Sequence, residues 1–209
     1  MAGVRIEVFS DVICPWCYIG TRRLERAIQL IELEGGARPD VEMHPFQLDP
    51  SAPESPSPVA DVYAKRFGDR APALLEHVIS AARQDGLTLR FDIAQRANTR
   101  RAHRLLEHAR ETAGRDAQWT LSNLLFRAYF EDGADIGRAS TLVALAELAG
   151  VAGAVSAIEA DDDRVGAAIE RASNLGITAV PTFIVDDHWT IPGAQDVETF
   201  ARVIRRLVT

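Results

Sequence analysis

The strand-like segments of this 209-residue chain lie at its two ends, and between them the apolar pattern is helical throughout. Val4-Arg5-Ile6-Glu7-Val8-Phe9 and Val41-Glu42-Met43-His44-Pro45-Phe46 read as two strands, with Pro45 marking an edge or an irregular end. Residues 18–33 between them place Leu24, Ala27, Ile28 and Ile31 on one helical stripe that stops at Gly35-Gly36. Near the other end, Thr182-Phe183-Ile184-Val185 and His188-Trp189-Thr190-Ile191 flank a tight Asp186-Asp187 turn, and an amphipathic helix with Val197, Phe200, Val203, Ile204 and Leu207 follows. Two short strands at each end cannot bury their faces alone, so the ends are expected to meet in one sheet flanked by helices. The expected organisation is a discontinuous α/β unit, residues 1–50 and 160–209, interrupted by a helical insertion over 59–159. A proline-rich exit loop, residues 49–58, precedes the insertion. Five stripes, around residues 74–82, 105–109, 119–129, 142–149 and 165–172, make the whole span 59–175 read as helical.

The chain has two cysteines, and both fall at the first strand-to-helix junction in the order Cys14-Pro15-Trp16-Cys17. A helix N-terminus offers unpaired N–H groups and the positive end of the dipole, which favour a thiolate over a thiol. The expected arrangement is a dithiol–disulfide switch with an exposed attacking sulfur, Cys14, and a resolving one, Cys17. Three plainer readings compete. Free cysteines are often inert core residues. Two could supply half a structural zinc site, but such a site takes four protein ligands, and the five histidines are scattered without metal-ligand pairing. A static disulfide would close only a tiny loop and so constrain the unfolded chain weakly. The C-x-x-C beside a β–α unit favours redox chemistry over all three, with no metal expected.

Composition narrows the partners. A net charge of −7 argues against nucleic acid and anionic membrane surfaces. Arginines at 22, 23 and 26, and at 100, 101 and 104, read as solvated helix faces. No apolar run approaches the roughly 18 residues of a transmembrane helix, and Met1 leads directly into a strand without a signal-like segment. A cytoplasmic location is expected, where structural disulfides are rare and a catalytic reading of the cysteines is favoured.

The chain resembles the DsbA family of thioredoxin-fold proteins over nearly its whole length, and most closely its FrnE-like branch. The resemblance rests on Ser10-Asp11-Val12-Ile13-Cys14-Pro15-Trp16-Cys17-Tyr18-Ile19-Gly20, residues 45–50, Asn98-Thr99 with Ala102-His103-Arg104-Leu105, residues 125–130, Gly176-Ile177-Thr178-Ala179-Val180-Pro181-Thr182-Phe183, and Gly193-Ala194-Gln195. It implies an α/β thioredoxin fold, βαβ…αββα, with a large all-helical insertion. It also implies that Pro181 is cis and faces the C-x-x-C loop; proline adopts cis far more readily than any other residue. The backbone of Val180 would then meet a bound thiol compound or extended peptide with strand-like hydrogen bonds, and Pro181 would occupy the place from which a metal reaches both sulfurs. Pro15, Trp16, Val180, Pro181 and Thr182 are therefore candidate substrate-binding residues.

The implied activity is thiol–disulfide exchange on protein or small-molecule disulfides, with no tightly bound cofactor and glutathione as a candidate co-substrate. Strongly oxidising relatives carry histidine where Trp16 stands; Trp offers neither that charge nor that hydrogen bond, so a more reducing couple is expected. Trp16 reads alternatively as a flat, solvent-facing apolar lip. Asn98 and His103 are placed near the groove by the branch resemblance; His103 reads as a general base or ligand holder, or as a surface or capping histidine. Asp11 reads equally as a proton-transfer group beside the thiol or as a turn residue. Two other functions stay open. The fold also resembles glutathione-dependent 2-hydroxychromene-2-carboxylate isomerases and kappa-class glutathione transferases, which typically carry serine where Cys14 stands. A non-catalytic binder of polyketide-like compounds, or a redox sensor, is the third reading.

Overall fold

In the computed structural model, which describes residues 3–53, 56–160 and 163–208, the two chain ends form one four-stranded sheet. Strand β1 (Arg5–Ser10) lies beside β2 (Asp40–Pro45) in parallel, and on its other side pairs antiparallel with β3 (Thr182–Val185), which pairs antiparallel with β4 (Trp189–Pro192). The order is β2-β1-β3-β4, the α/β arrangement with helical insertion that the end-to-end pattern implied. Asp186 and Asp187 both take positive φ, 48° and 59°, which makes the expected tight turn between β3 and β4.

Helix α1 (Pro15–Leu33) and helix α9 (Val197–Val208) cover one face of the sheet. Ile6, Val8, Leu24, Ile28, Phe183 and Phe200 form that core, and the Phe183 and Phe200 rings meet edge to face at 4.7 Å. Between β2 and β3 the chain runs through α2 (Val59–Phe67), a 3₁₀ turn (Gly68–Arg70), α3 (Ala71–Gln84), α4 (Arg100–Ala113), α5 (Arg115–Phe130), α6 (Ala139–Leu148), α7 (Ala154–Glu159) and α8 (Arg164–Asn174). A second apolar core joins Tyr18 and Ile19 of α1 to Leu105, Leu125, Phe126 and Phe130 of this block.

Helix α1 begins at Pro15, ahead of the apolar stripe over residues 18–33; Cys14 takes the cap position, as the strand-to-helix junction implied, and Pro15 supplies a pre-set φ at N1. Two expectations need correcting. The span 59–175 is not helical throughout: residues 85–99 are irregular after Gly86 at φ +73°. That segment satisfies its backbone elsewhere, Arg90 N–H donating to Phe130 O at 2.7 Å and Arg96 N–H to Ser57 O at 2.7 Å. The return strand β4 starts at Trp189 and runs one residue past Ile191. Of the proline-rich loop, Glu54 and Ser55 lie outside the described residues, as do Met1 and Ala2 at the start.

Strand β2 is an edge, as Pro45 suggested, but its edge is not left open. The buried Gln118 side chain of α5 plays the part of a neighbouring strand: its Nε2 donates to Met43 O and its Oε1 accepts from Met43 N–H, both at 2.9 Å. The sheet face away from α1 carries a charged cluster. Glu7 is buried and accepts from Arg5 at 2.9 Å and Arg171 at 2.8 Å, with His44 Nε2 2.9 Å away. Glu42 is held by Arg115 at 2.7 Å.

These groups set a pH dependence. Burial pushes His44 below its ordinary 6.5, against the pull of Glu42 and Glu7, with Arg171 acting in the same sense as burial. Burial also works against ionised Glu42, but Arg115, His44 and Arg110 outweigh it and hold the carboxyl below its ordinary 4.5. In both cases the unfolded chain binds protons at higher pH than the folded one. Stability is therefore fully present above about pH 6.5, starts to fall as unfolded His44 protonates, and falls further below about 4.5 through Glu42. Urea unfolding followed across that range is expected to show both steps, and His44→Asn is expected to remove the upper one.

Candidate active site

The loop from β1 into α1 carries both sulfurs to one point. Cys14 is extended, at φ −87° and ψ 114°, and caps α1; its Sγ accepts from Cys17 N–H at 3.4 Å. Both cysteines are present as thiols. The Val180–Pro181 peptide is cis, and Val180 O lies 3.7 Å from Cys14 Sγ, so the proline loop faces the dithiol as the resemblance implied. Gly20 makes this close approach possible: a Cβ there would sit 3.1 Å from both Pro181 Cγ and Phe183 Cζ. Thr182 opens β3 with its hydroxyl committed to Ala179 O at 2.8 Å, which shapes the proline loop.

The attacking sulfur is less open than expected. Cys14 retains 4% of its surface and Cys17 none. Both cysteines belong to an apolar cluster that includes Val12 and Val59, with Val180 packed against it. What surface remains belongs to residue 14, so the two sulfurs still differ in the sense required. Burial, with the adjacent Cys14 sulfur, pushes the Cys17 thiol well above its ordinary range; the Ser10 side chain and the Asp11 backbone oppose this only in part.

Trp16 is not the solvent-facing lip proposed from sequence. It is half-buried against the helical core, with its ring 5.6 Å from that of His77 on α3. Asp11 proves to be both a turn residue and a neighbour of the site. Its backbone O accepts from Cys14 N–H at 2.9 Å, while its fully buried carboxylate accepts from Leu48 N–H at 2.7 Å and lies 3.3 Å from His103 Nε2. His103 is correspondingly buried, not a surface or capping group. Asn98 points elsewhere: its Nδ2 donates to Ala52 O at 3.1 Å and its Oδ1 accepts from Arg100 N–H at 3.0 Å, which ties the proline-rich loop to the start of α4.

A groove of about 320 Å³ opens beside the dithiol, lined on one side by Ile13 and Pro15 and on the other by Tyr63, Arg66 and Phe67 of α2. Burial first, and the nearby Cys14 sulfur second, push the Tyr63 phenol up from its ordinary value. The exposed Arg66 guanidinium lies 5.5 Å over the Phe67 ring. Sequence reasoning missed Tyr63 and Arg66, since nothing in the short α2 stripe distinguishes them from an ordinary helix surface. A larger cavity, about 390 Å³ between α6 and α7, contains no residue of the dithiol junction. Among the described residues no three His, Cys, Asp or Glu side chains converge as a metal requires, and no helix is long and apolar enough to cross a membrane.

A β–α–β and β–β–α sheet with a capped dithiol opposite a cis-proline defines the thioredoxin-like class of folds. Within it, the chain belongs to the family of DSBA-like thioredoxin domains, whose model matches residues 5–205. It is 31% identical over 208 residues to the uncharacterised protein YwbO of Bacillus subtilis, covering 96% of each chain. Among solved structures it is similar to a probable DsbA oxidoreductase from Streptomyces coelicolor, with 30% identity, a TM-score of 0.84, and 97% and 89% of the two chains covered. The cytosolic disulfide reductase DsbM of Pseudomonas aeruginosa shares the fold at 16% identity and a TM-score of 0.70, over 97% and 98% of the chains.

Proposed function

We propose that this chain is a thiol–disulfide oxidoreductase of the cytoplasm in which Cys14 attacks and Cys17 resolves. The observation that carries the reading is the Val180 carbonyl, 3.7 Å from Cys14 Sγ, at the head of a cis-proline loop. A substrate sulfur bonded to Cys14 then sits beside the Val180 carbonyl, which offers an extended substrate a backbone acceptor next to the cis-proline. Cys14 as thiolate attacks one sulfur of a disulfide and expels the other half as a thiolate; Cys17, on giving up its proton, then attacks the Cys14 sulfur, closing the internal disulfide and releasing the second half as a thiolate, and the expelled thiolates are protonated by solvent and by the Cys17 proton. The reverse sequence oxidises a dithiol.

The narrow opening at Cys14 and the groove beside it suit a small or extended disulfide better than a folded surface. Arg66 at the groove rim supports a carboxylate-bearing partner, for which glutathione disulfide is the natural probe. DsbM of Pseudomonas aeruginosa has been solved with GSH, which supports the same choice. The isomerase and transferase reading is disfavoured by retention of both cysteines, and the net charge of −7 speaks against nucleic acid. The test is reduction of glutathione disulfide, and of insulin, by wild type, Cys14→Ser and Cys17→Ser. Loss in both variants is the expected result. Glutathione-dependent turnover of an electrophile that survives Cys17→Ser would establish the isomerase reading instead, and aromatic-ligand binding without any turnover the binder reading.

A further inference from the structure

The departing half of a disulfide needs somewhere to go. When Cys14 attacks, the far sulfur leaves in line with the bond that breaks, away from residue 14. Cys17 is wholly buried on the inner side and Val180 O stands 3.7 Å from Cys14 Sγ. What is left is the groove that opens at Ile13 and Pro15, the chain neighbours of Cys14. Tyr63 of α2 faces those two residues across the groove and packs on the apolar cluster that contains Cys14. Its ring is fixed by Phe67 and Phe91, both at 5.6 Å. Tyr129 of α5 lines the same groove and is 1% exposed. Among the described residues neither phenol hydroxyl has a hydrogen-bond partner. Buried hydroxyls are nearly always paired, and Phe at 129 would fill the same space without leaving a donor unmet. The charge agrees. Asp49, the carboxylate on the wall, is taken by Arg96 at 2.6 Å, so Arg66 gives the groove a positive balance in a chain of net charge −7.

We propose that this groove receives the departing half of the disulfide, with Tyr63 donating a hydrogen bond to its sulfur and Tyr129 to an acceptor carried farther along it. The inference rests on the disulfide-exchange reading and deepens it by naming a substrate class. That class is disulfides of alkyl thiols, whose departing thiolates are basic and gain most from a donor. In the step itself the Cys14 sulfur bonds to the near sulfur of the disulfide. The bond between the two substrate sulfurs breaks, and its electron pair leaves on the far one as a thiolate. Cys14 is oxidised from thiolate to mixed disulfide as the far sulfur is reduced, so no other oxidant or reductant enters. The phenols keep their protons and lend hydrogen bonds alone; solvent protonates the thiolate once it has left. Burial first, then the charges of Tyr63 and Asp11, push the Tyr129 phenol up, which keeps it a donor at neutral pH. A donor aimed at charge that appears only as the bond breaks speeds the step more than it tightens binding.

In a full-length Cys17→Ser chain the adduct on Cys14 is the end product, so its rate of formation, followed by intact mass in quenched samples, reads the attack alone. Hydroxyethyl disulfide expels a basic alkylthiolate, and dithiobis(nitrobenzoate) an acidic aryl one that needs little help. Adding Tyr63→Phe is expected to slow the maximal alkyl rate about tenfold, the worth of one hydrogen bond to a charged group, and the aryl rate less than about twofold. Adding Tyr129→Phe is expected to raise the half-saturating concentration of hydroxyethyl disulfide about threefold and to leave the alkyl-to-aryl ratio of maximal rates unchanged. Both variants keep their rings, and Tyr129→Phe is expected to melt no lower than the parent chain, because it removes only an unpaired hydroxyl. Equal slowing of the two disulfides by Tyr63→Phe, slowing of neither, or an unaltered half-saturation in Tyr129→Phe overturns the proposal while leaving disulfide exchange in place. A Cys17→Ser chain that forms no adduct with either disulfide removes both.

Discussion

Cys17→Ser is expected to leave Cys14 covalently bonded to whatever disulfide it attacks. Cys17 is wholly buried behind residue 14, so only the outer sulfur meets substrate, and only the inner one lies close enough to displace it. Removing the inner sulfur stops the sequence halfway. Turnover is expected to fall at least about 1000-fold, with an adduct of one substrate half per chain visible in the intact mass. Cys14→Ser is expected to lose as much turnover and to show no adduct. An adduct on Cys17 in that second variant would reverse the assignment of the two sulfurs.

The second large effect is structural. Gln118→Leu is expected to destabilise the fold by about 3 kcal/mol, lowering Tm by about 10 °C. The isobutyl group fills the space, but Met43 N–H and O both lose their partner in a buried setting, and each orphan costs about 1–3 kcal/mol. The freed edge of β2 is then also able to pair with another chain. Thermal unfolding measures the first consequence, and light scattering of the heated protein the second. A Gln118→Leu chain as stable as wild type would show that solvent reaches that edge after all.

How much of this was legible beforehand depends on how far each feature reaches along the chain. The four strands and α9 announce themselves because alternation and a helical stripe are local properties, and Asp186-Asp187 marks its turn by itself. The onset of α1 is legible from the cysteine motif and not from the apolar stripe, because the cap, Cys14, and the N1 residue, Pro15, sit ahead of that stripe. Residues 85–99 lie between two helical stripes and show no period of their own, and the backbone partners that hold them lie on distant segments such as Phe130. At the site, Cys14, Cys17 and Pro181 belong to recognisable motifs. The Asp11–His103 contact joins residues 92 apart, and Gln118 meets Met43 across 75, so no local pattern announces either.

Because β1 finds β3 only after the entire helical block has been made, a chain emerging from the ribosome exposes its reactive pair long before the loop that guards it exists. Through most of synthesis both thiols ride on a half-built sheet, open to oxidants and to stray partners alike. Pairing ends so far apart in sequence is also slow, so the newborn protein has a vulnerable interval whose length is set by translation and by the pairing that follows it.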